Sequence, residues 1–155
     1  MSVPDHLAAF RARRCAASPA SAAAPRYAEA FSFGAGELAD RPLALVLAGT
    51  KTATAMPRWE REARGQPLWQ VGDESIALDG SGVPRCVIAT TALLVMPFDA
   101  IDAGFARDYG EGDRTLAWFQ SAAWDSYSGV VAGLGRTPTR DMPMICERFR
   151  IVYRE

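Results

Sequence analysis

The chain has 155 residues, of which 49% are hydrophobic and 23% are charged, and its net charge is −1. This size and balance indicate one soluble globular domain with its own core, and no run of residues approaches the length of a membrane span. A protein that holds long nucleic acid needs a basic face to neutralise phosphates, so a chain without a cationic excess is easier to reconcile with a small substrate.

The cysteine and histidine content limits the chemistry. Cys15, Cys86 and Cys146 lie far apart in the sequence, which is typical of reduced thiols in a cytoplasmic protein. The first residues lack the continuous apolar segment of a secretory signal. The one histidine, His6, lies near the terminus, so we expect neither a histidine-based metal site nor serine–histidine or cysteine–histidine catalysis.

The beginning of the chain divides into two parts. Residues 4–16 could form a short helix, and residues 18–25 form an Ala/Ser/Pro linker with little to bury. The sequence therefore predicts an N-terminal helix and linker over residues 1–25, followed by the main domain over residues 26–155.

A helix-to-strand junction follows. The apolar stretch 43–48 predicts a helix with Asp40 as a plausible cap and Gly49 as its stop signal. The threonine-rich segment 50–55 predicts the start of a strand. Lys51 therefore lies where the main chain changes direction and where side chains can converge on a cleft.

Lys51 is the only lysine in a chain that has 16 arginines. An amine can lose its proton when desolvated, whereas an arginine stays charged, so the lysine is interpreted as a base, a nucleophile or a compact charge. A codon bias towards arginine that spared one residue is the alternative interpretation. Residues three apart share a face only in a helical turn, so Lys51 can cooperate with Thr54 only if Lys51 still lies in the turn.

The middle of the chain alternates between a charged segment and strands. Residues 58–64 mix arginine with glutamate, which favours a solvated face over a nucleic-acid footprint. Residues 79–82 are a hairpin signal between predicted strands at 72–78 and 85–95. The second strand is apolar on both faces, which indicates burial on both sides, as in a barrel covered by a helix.

The last third predicts two helices and a final strand. A short helix is expected over residues 100–108, and helical spacing of apolar residues continues from Leu116 to Leu134. The final strand, over residues 144–153, places Glu147 in an apolar row. A carboxylate there is costly unless it meets a cation or backbone donors.

Several segments match a known family in the order in which that family has them. They are residues 33–34, 37–40, 47–54, 71–73, 97–98, 110–116, 141–143 and 146–149. Over about residues 31–153, the chain resembles the ASCH domain family, whose fold is similar to the PUA-like β-barrel. The resemblance implies an α+β fold with a PUA-like β-barrel and flanking helices.

The resemblance also implies activities. ASCH domains were proposed as RNA-binding modules, and one branch removes the acetyl group from N4-acetylcytidine with a lysine, a threonine three residues later and a distant glutamate. These positions fall on Lys51, Thr54 and Glu111, although the segment before Thr115 is one residue longer here. Met56 stands where the small deacetylating members carry a basic residue.

Another member of the family resembles a ribonuclease. Its tyrosine and serine do not map cleanly onto this chain, because Leu45 occupies the corresponding helix position and Ser126 and Ser128 are both candidates for the serine.

Two functions therefore stand. The first is a cofactor-free hydrolase of the N4-acetylcytidine amidohydrolase type, in which Lys51 takes the Thr54 hydroxyl proton and Glu111 orients the ammonium and protonates the leaving amine. The alternative is an RNA-binding module or a ribonuclease that uses the same cleft. The partner is a modified nucleoside or RNA, with no membrane and no metal. Expected substrate contacts are Thr52, Arg58, Trp59, Arg114 and Glu147.

Each catalytic assignment has a structural alternative. Thr54 can be an ordinary β-branched strand residue, and either Glu111 or Asp113 can cap the following helix. A helix C-terminus favours a protonated lysine, so the base role requires burial of Lys51 that outweighs the helix dipole and the carboxylate.

Overall fold

The computed structural model describes residues 4–18 and 24–155. The helices are α1 (Asp5–Ala16), α2 (Asp40–Leu47), α3 (Arg58–Ala63), α4 (Ala103–Tyr109), α5 (Leu116–Trp118) and α6 (Trp124–Gly133). The strands are β1 (Tyr27–Ser32), β2 (Ala53–Pro57), β3 (Glu74–Leu78), β4 (Pro84–Pro97) and β5 (Pro143–Arg154). Each helix in the described part of the chain is too short or too polar to span a lipid bilayer.

The five strands form one sheet in the order β1-β3-β4-β5-β2. β1 pairs in parallel with β3, and the other three pairings are antiparallel. The sheet curls into a half-barrel with helices on its flanks, which confirms the predicted α+β, PUA-like architecture. The predicted hairpin is present, since β3 and β4 pair on either side of the turn at residues 79–82.

β4 is buried over only part of its length, which corrects the expectation of burial on both faces. Cys86 to Thr90 are buried, whereas Leu94 is 58% exposed and Val95 is 38% exposed. β3 pairs with β4 no further than Ala89, and the register with β5 shifts after Thr90. Beyond that point β4 has β5 on one side only, so its apolar side chains lack flanking side chains from a second strand and are more exposed.

The predicted long helix is present, but its register changes along its length. α5 continues into a π-helical segment (Phe119–Ala123) and then into α6. Phe119 and Val131 are fully buried in a core cluster that includes residues of β2, α4 and β5. The π-helical segment shifts the face that later residues present, which simple helical spacing does not predict.

The N-terminal helix packs on the sheet. Phe10 of α1 is fully buried and belongs to a cluster with Leu7, Ile76 and Val87. The helix predicted over residues 4–16 is therefore confirmed. Most of the predicted linker lies outside the described residues, and the division of the chain at residue 25 stays a prediction.

Truncation of Phe10 tests how strongly α1 stabilises the sheet. Phe10→Ala is expected to lower the free energy of unfolding by about 3–5 kcal/mol, because a fully buried aromatic ring is lost and a cavity is left. Urea unfolding followed by circular dichroism measures this. His6→Ala, at an exposed position of the same helix, is the control. Equal stability of the two variants would show that α1 contributes little to the core.

Candidate active site

The backbone holds Lys51 in a turn between α2 and β2. Gly49 has a φ of 77°, which ends α2 in the left-handed conformation. The amides of Thr50 and Lys51 both donate to the carbonyl of Leu45, and the amide of Thr52 donates to Asp108 O at 2.8 Å. The turn is therefore fixed from both sides, and Lys51 lies at its end, two residues before β2 begins.

Lys51 is a buried cation. Its side chain is 1% exposed, and its Nζ lies 2.9 Å from Glu111 Oε1 in an ion pair. Nζ also donates to Tyr109 O at 3.0 Å and lies 3.5 Å from the centroid of the Tyr109 ring. These contacts come from the C-terminal end of α4 and the residues that follow it.

Burial has the largest effect on the pKa of the Lys51 amine. Desolvation lowers its pKa from 10.5 to about 8, although the Glu111 carboxylate acts in the opposite direction. The carbonyl at the end of α4 also favours the ammonium. The burial required for a base role is therefore present.

Gly110 makes the close approach between α4 and the Lys51 turn possible. Its φ is 77°, and a Cβ at this position would lie 2.5 Å from Thr50 O and 2.6 Å from Lys51 Cα. A residue with a side chain would collide with the backbone there. The glycine thus places Glu111 directly beside the Lys51 ammonium.

The hydroxyl groups of two tyrosines form a chain of hydrogen bonds beside Lys51, and these tyrosines form one wall of the site. The Tyr127 hydroxyl donates to Ala55 O at 2.8 Å, and the Tyr109 and Tyr127 hydroxyls lie 2.7 Å apart. Since Tyr127 uses its hydrogen on Ala55, Tyr109 is the donor in that pair. Burial raises the pKa of both tyrosines, so both stay neutral and the chain of hydrogen bonds holds the Tyr109 ring in place.

A cavity of about 480 Å³ lies beside this wall and is lined by Thr54, Glu111 and Glu147 among others. Lys51 does not line it, because Lys51 lies behind Tyr109 and Glu111. No direct hydrogen bond joins Lys51 to Thr54 in the described part of the chain. Of the Lys51–Glu111 pair, Glu111 is therefore the member that faces the cavity.

Glu147 forms the other polar part of the cavity. It is 5% exposed, and its Oε1 accepts a hydrogen bond from the Thr90 hydroxyl at 2.5 Å. Desolvation raises its pKa from 4.5 to about 7. Its partner is thus a hydroxyl group rather than the expected cation or backbone donor, because the nearby Arg61 is already paired.

Arg61 is an unexpected member of the cavity wall. Its side chain is 7% exposed, and one guanidinium nitrogen lies 3.0 and 2.9 Å from the two carboxylate oxygens of Glu29. Its guanidinium lies 4.3 Å from the centroid of the Trp69 ring. The solvated face predicted for α3 holds for Arg58 and Arg64, which form exposed pairs with Glu62 and Glu60, but it is wrong for Arg61.

Glu29 was not predicted as a site residue, although the strand spacing of β1 was a signal that could have identified it. Glu29, Phe31 and Phe33 lie at strand spacing and all line the cavity. Trp69 lies in a loop, and nothing in its local sequence indicates the contact with Arg61.

The other predicted contact residues lie away from the cavity. Thr52 is close to Asp108 O at 3.5 Å, and Arg58 pairs with Glu62. Trp59 packs against the core under the guanidinium of Arg136, and Arg114 donates to Arg107 O. Of the residues expected to contact substrate, the structure therefore brings only Glu147 to the catalytic candidates.

Two further positions weighed from the resemblance lie at the cavity. Ser126 and Met56 line it, whereas the Ser128 hydroxyl donates to Asp125 O on α6. Among the described residues, no group of three histidine, cysteine or acidic side chains is placed to hold a metal ion.

Gly110→Ala tests the close approach on which the site depends. The substitution is expected to lower the free energy of unfolding by at least about 2 kcal/mol, because it combines an unfavourable φ with overlap against the Lys51 backbone. Urea unfolding measures the change. Gly129→Ala is the matched control, since a Cβ at that position would contact no other part of the described chain within 4 Å and alanine favours the helix there. A Gly110→Ala protein as stable as the parent would contradict this account.

Comparisons with known proteins agree with the fold. The family model described as "ASCH domain" matches residues 29–153. An ASCH domain from Lactobacillus crispatus JV V101 superposes with a TM-score of 0.89 at 25% identity, covering 99% of this chain and 98% of that one. Protein EF3133 from Enterococcus faecalis V583 superposes with a TM-score of 0.75 at 24% identity, covering 94% and 85% of the two chains. No curated protein matches the sequence significantly. The chain belongs to the ASCH domain family.

Proposed function

We propose that the protein is a cofactor-free hydrolase that removes the acyl group from a modified pyrimidine nucleoside of the N4-acetylcytidine type. The observation that carries this proposal is the buried Lys51–Glu111 ion pair at the wall of a cavity that also contains Thr54. The volume of about 480 Å³ suits a ligand of nucleoside size.

The charges of the cavity wall support a nucleoside over an RNA segment. ASCH domains are often linked to RNA binding, and RNA phosphates require cationic partners. The wall has four glutamates and two arginines; they are Glu29, Glu60, Glu111, Glu147, Arg61 and Arg64. Arg61 is already paired with Glu29 and Arg64 with Glu60, so little positive charge remains for a phosphate.

The proposed reaction has two steps. The Thr54 oxygen bonds to the acetyl carbon while its proton passes to the Lys51–Glu111 pair, and the bond from that carbon to N4 then breaks as the pair gives the proton to N4. Cytidine leaves with a free amino group. Water then adds to the threonine ester, which releases acetate and restores the hydroxyl.

The two members of the pair have different parts in this proton transfer. Glu111 faces the cavity and relays the proton, while Lys51 behind it stores the proton. A pKa of about 8 leaves roughly a tenth of the lysine neutral at pH 7, which is enough to accept a proton from the relay. Arginine cannot supply this neutral form.

Lys51→Arg tests the role of the amine. We expect kcat on N4-acetylcytidine to fall at least about a hundredfold, because the guanidinium keeps the charge but does not deprotonate. In the parent protein, kcat should rise with pH and level off above about 8, since the active form has neutral Lys51. Steady-state kinetics across pH 6–9, with release of acetate as the readout, measures both effects.

Arg41→Lys, at an exposed position of α2, is the control for exchange between arginine and lysine. If Lys51→Arg keeps parental turnover, the lysine is only a charge. If the parent hydrolyses neither N4-acetylcytidine nor short RNA but binds RNA, the binding-module alternative replaces this proposal.

Thr54→Val tests the nucleophile separately from the proton relay. Valine has nearly the same shape but no hydroxyl, so kcat should fall at least about a hundredfold, while Thr54→Ser should retain measurable turnover. A burst of cytidine before steady state in the parent, and none in Thr54→Val, would report the threonine ester. Full activity of Thr54→Val would instead point to direct attack by water.

A further inference from the structure

The part of the cavity around Glu147 has an incomplete set of hydrogen bonds. Glu147 is 5% exposed and accepts from the Thr90 hydroxyl through Oε1. Trp69 is 7% exposed and lines the same cavity, and its Nε1 lies beside Glu147 without completing a hydrogen bond of ordinary geometry to any described residue. A buried donor without an acceptor calls for an explanation, and a ligand in the cavity can supply one.

The groups around Glu147 favour its neutral form. Arg61 of α3 and Glu29 of β1 face it as a pair, so their charges largely cancel. The Thr90 hydroxyl of β4 and the Trp69 indole favour the carboxylate, and Thr54 of β2 lies opposite Glu147 on β5. Burial outweighs these contacts and raises the pKa of Glu147 to about 7.

A neutral carboxylic acid has hydrogen-bonding properties that a carboxylate lacks. It presents an O–H donor beside a C=O acceptor, whereas the carboxylate presents acceptors alone. The Watson–Crick edge of cytosine presents an acceptor, N3, beside a donor, the N4 amino group. N4-acylation leaves one N4–H, so the acid still matches the acylated base with two hydrogen bonds.

The pairing of β2 with β5 places Glu147, and with it the edge of a base that Glu147 binds, next to the proposed nucleophile Thr54. Thr54 and Glu147 are directly opposite partners in the antiparallel pair, so their side chains share a face about 5 Å apart. A base whose N4–H is held by Glu147 therefore carries its N4-acyl carbon within reach of Thr54.

We propose that Glu147 recognises the N3 and N4–H edge of the pyrimidine as a neutral carboxylic acid, and that it thereby sets the base specificity of the cavity. This inference rests on the proposed function, and it names the group that reads the base. Trp69 Nε1 supplies a further donor beside the same site, either to the second carboxyl oxygen of Glu147 or to a carbonyl of the base.

Calorimetric binding of cytidine tests this inference without turnover, because cytidine has the same edge and carries no acyl group. If only the protonated form binds, the binding-competent fraction is about nine-tenths at pH 6 and about one-tenth at pH 8. The dissociation constant of the parent should therefore rise about tenfold between these pH values. 3-Deazacytidine, which lacks the N3 acceptor, should bind at least about tenfold more weakly at pH 6.

Glu147→Gln is the conservative variant, because the amide also has a donor beside an acceptor but does not titrate. It should bind cytidine at pH 6 within about threefold of the parent and change less than about twofold up to pH 8. Glu147→Leu should lose at least about tenfold at pH 6. A tenfold change that persists in Glu147→Gln would show that another group controls binding, and it would contradict the inference.

Thr90→Val provides a second test that keeps the carboxyl group. The Thr90 hydroxyl lowers the pKa of Glu147, so its removal should move the weakening of binding to higher pH. A purely structural Glu147 would show no such shift.

Several results would overturn the inference. They are pH-independent binding by the parent, a Glu147→Gln protein as weak as Glu147→Leu at pH 6, or no measurable binding of cytidine at pH 6. Hydrolysis of N4-acetylcytidine without the predicted binding pattern would reject the role of Glu147 and leave the proposed function intact. The binding pattern without hydrolysis would reject the proposed function and leave Glu147 as the base reader.

Discussion

The contact between Gly110 and the backbone of Thr50 and Lys51 is the constraint on which the site depends. It brings the end of α4 against the turn that leads into β2, with no room for a Cβ between them. Two consequences follow from this approach. Lys51 loses its water, and Glu111, the next residue after the glycine, becomes its ion-pair partner at 2.9 Å.

Desolvation shifts the pKa values of Lys51 and Glu147 in opposite directions, and both shifts favour the uncharged form of the side chain. Burial lowers the pKa of Lys51 from 10.5 to about 8 and raises that of Glu147 from 4.5 to about 7. Water exclusion thus makes an amine that can accept a proton and a carboxyl group that can donate one, both close to neutral pH. Neither group would have this property on the protein surface.

The sequence predicted the parts of the site that depend on local signals. Lys51 was identified as the sole lysine at a helix-to-strand junction, and Thr54 and Glu111 followed from the family resemblance. Thr54 and Glu111 line the cavity, and Lys51 lies behind Glu111. Glu147 was identified as a carboxylate in an apolar strand, but its partner was not, because the Thr90 hydroxyl comes from a different strand.

Other features depend on tertiary contacts that local patterns do not encode. The burial of Arg61 requires Glu29 from β1 and the ring of Trp69 from a loop, so the charged pattern of α3 predicted a solvated side chain instead. The exposure of Leu94 likewise depends on where β3 stops pairing with β4. Composition predicts which residues can be buried, but the partner strand decides whether they are.

The position of Lys51 behind Glu111 provides a structural reason for a lysine at this place in a chain that has 16 arginines. A charge that only had to attract the carboxylate could be a guanidinium, which shares its charge over a planar group and forms five N–H donors. At this position, however, the amine lies 3.5 Å from the centroid of the Tyr109 ring and donates to the carbonyl of the same residue. A guanidinium is larger, and it would bring more donors into a space that offers few acceptors. Both the geometry and the shifted pKa therefore favour a compact amine, so the side chain that fits the packing is also the one that can titrate.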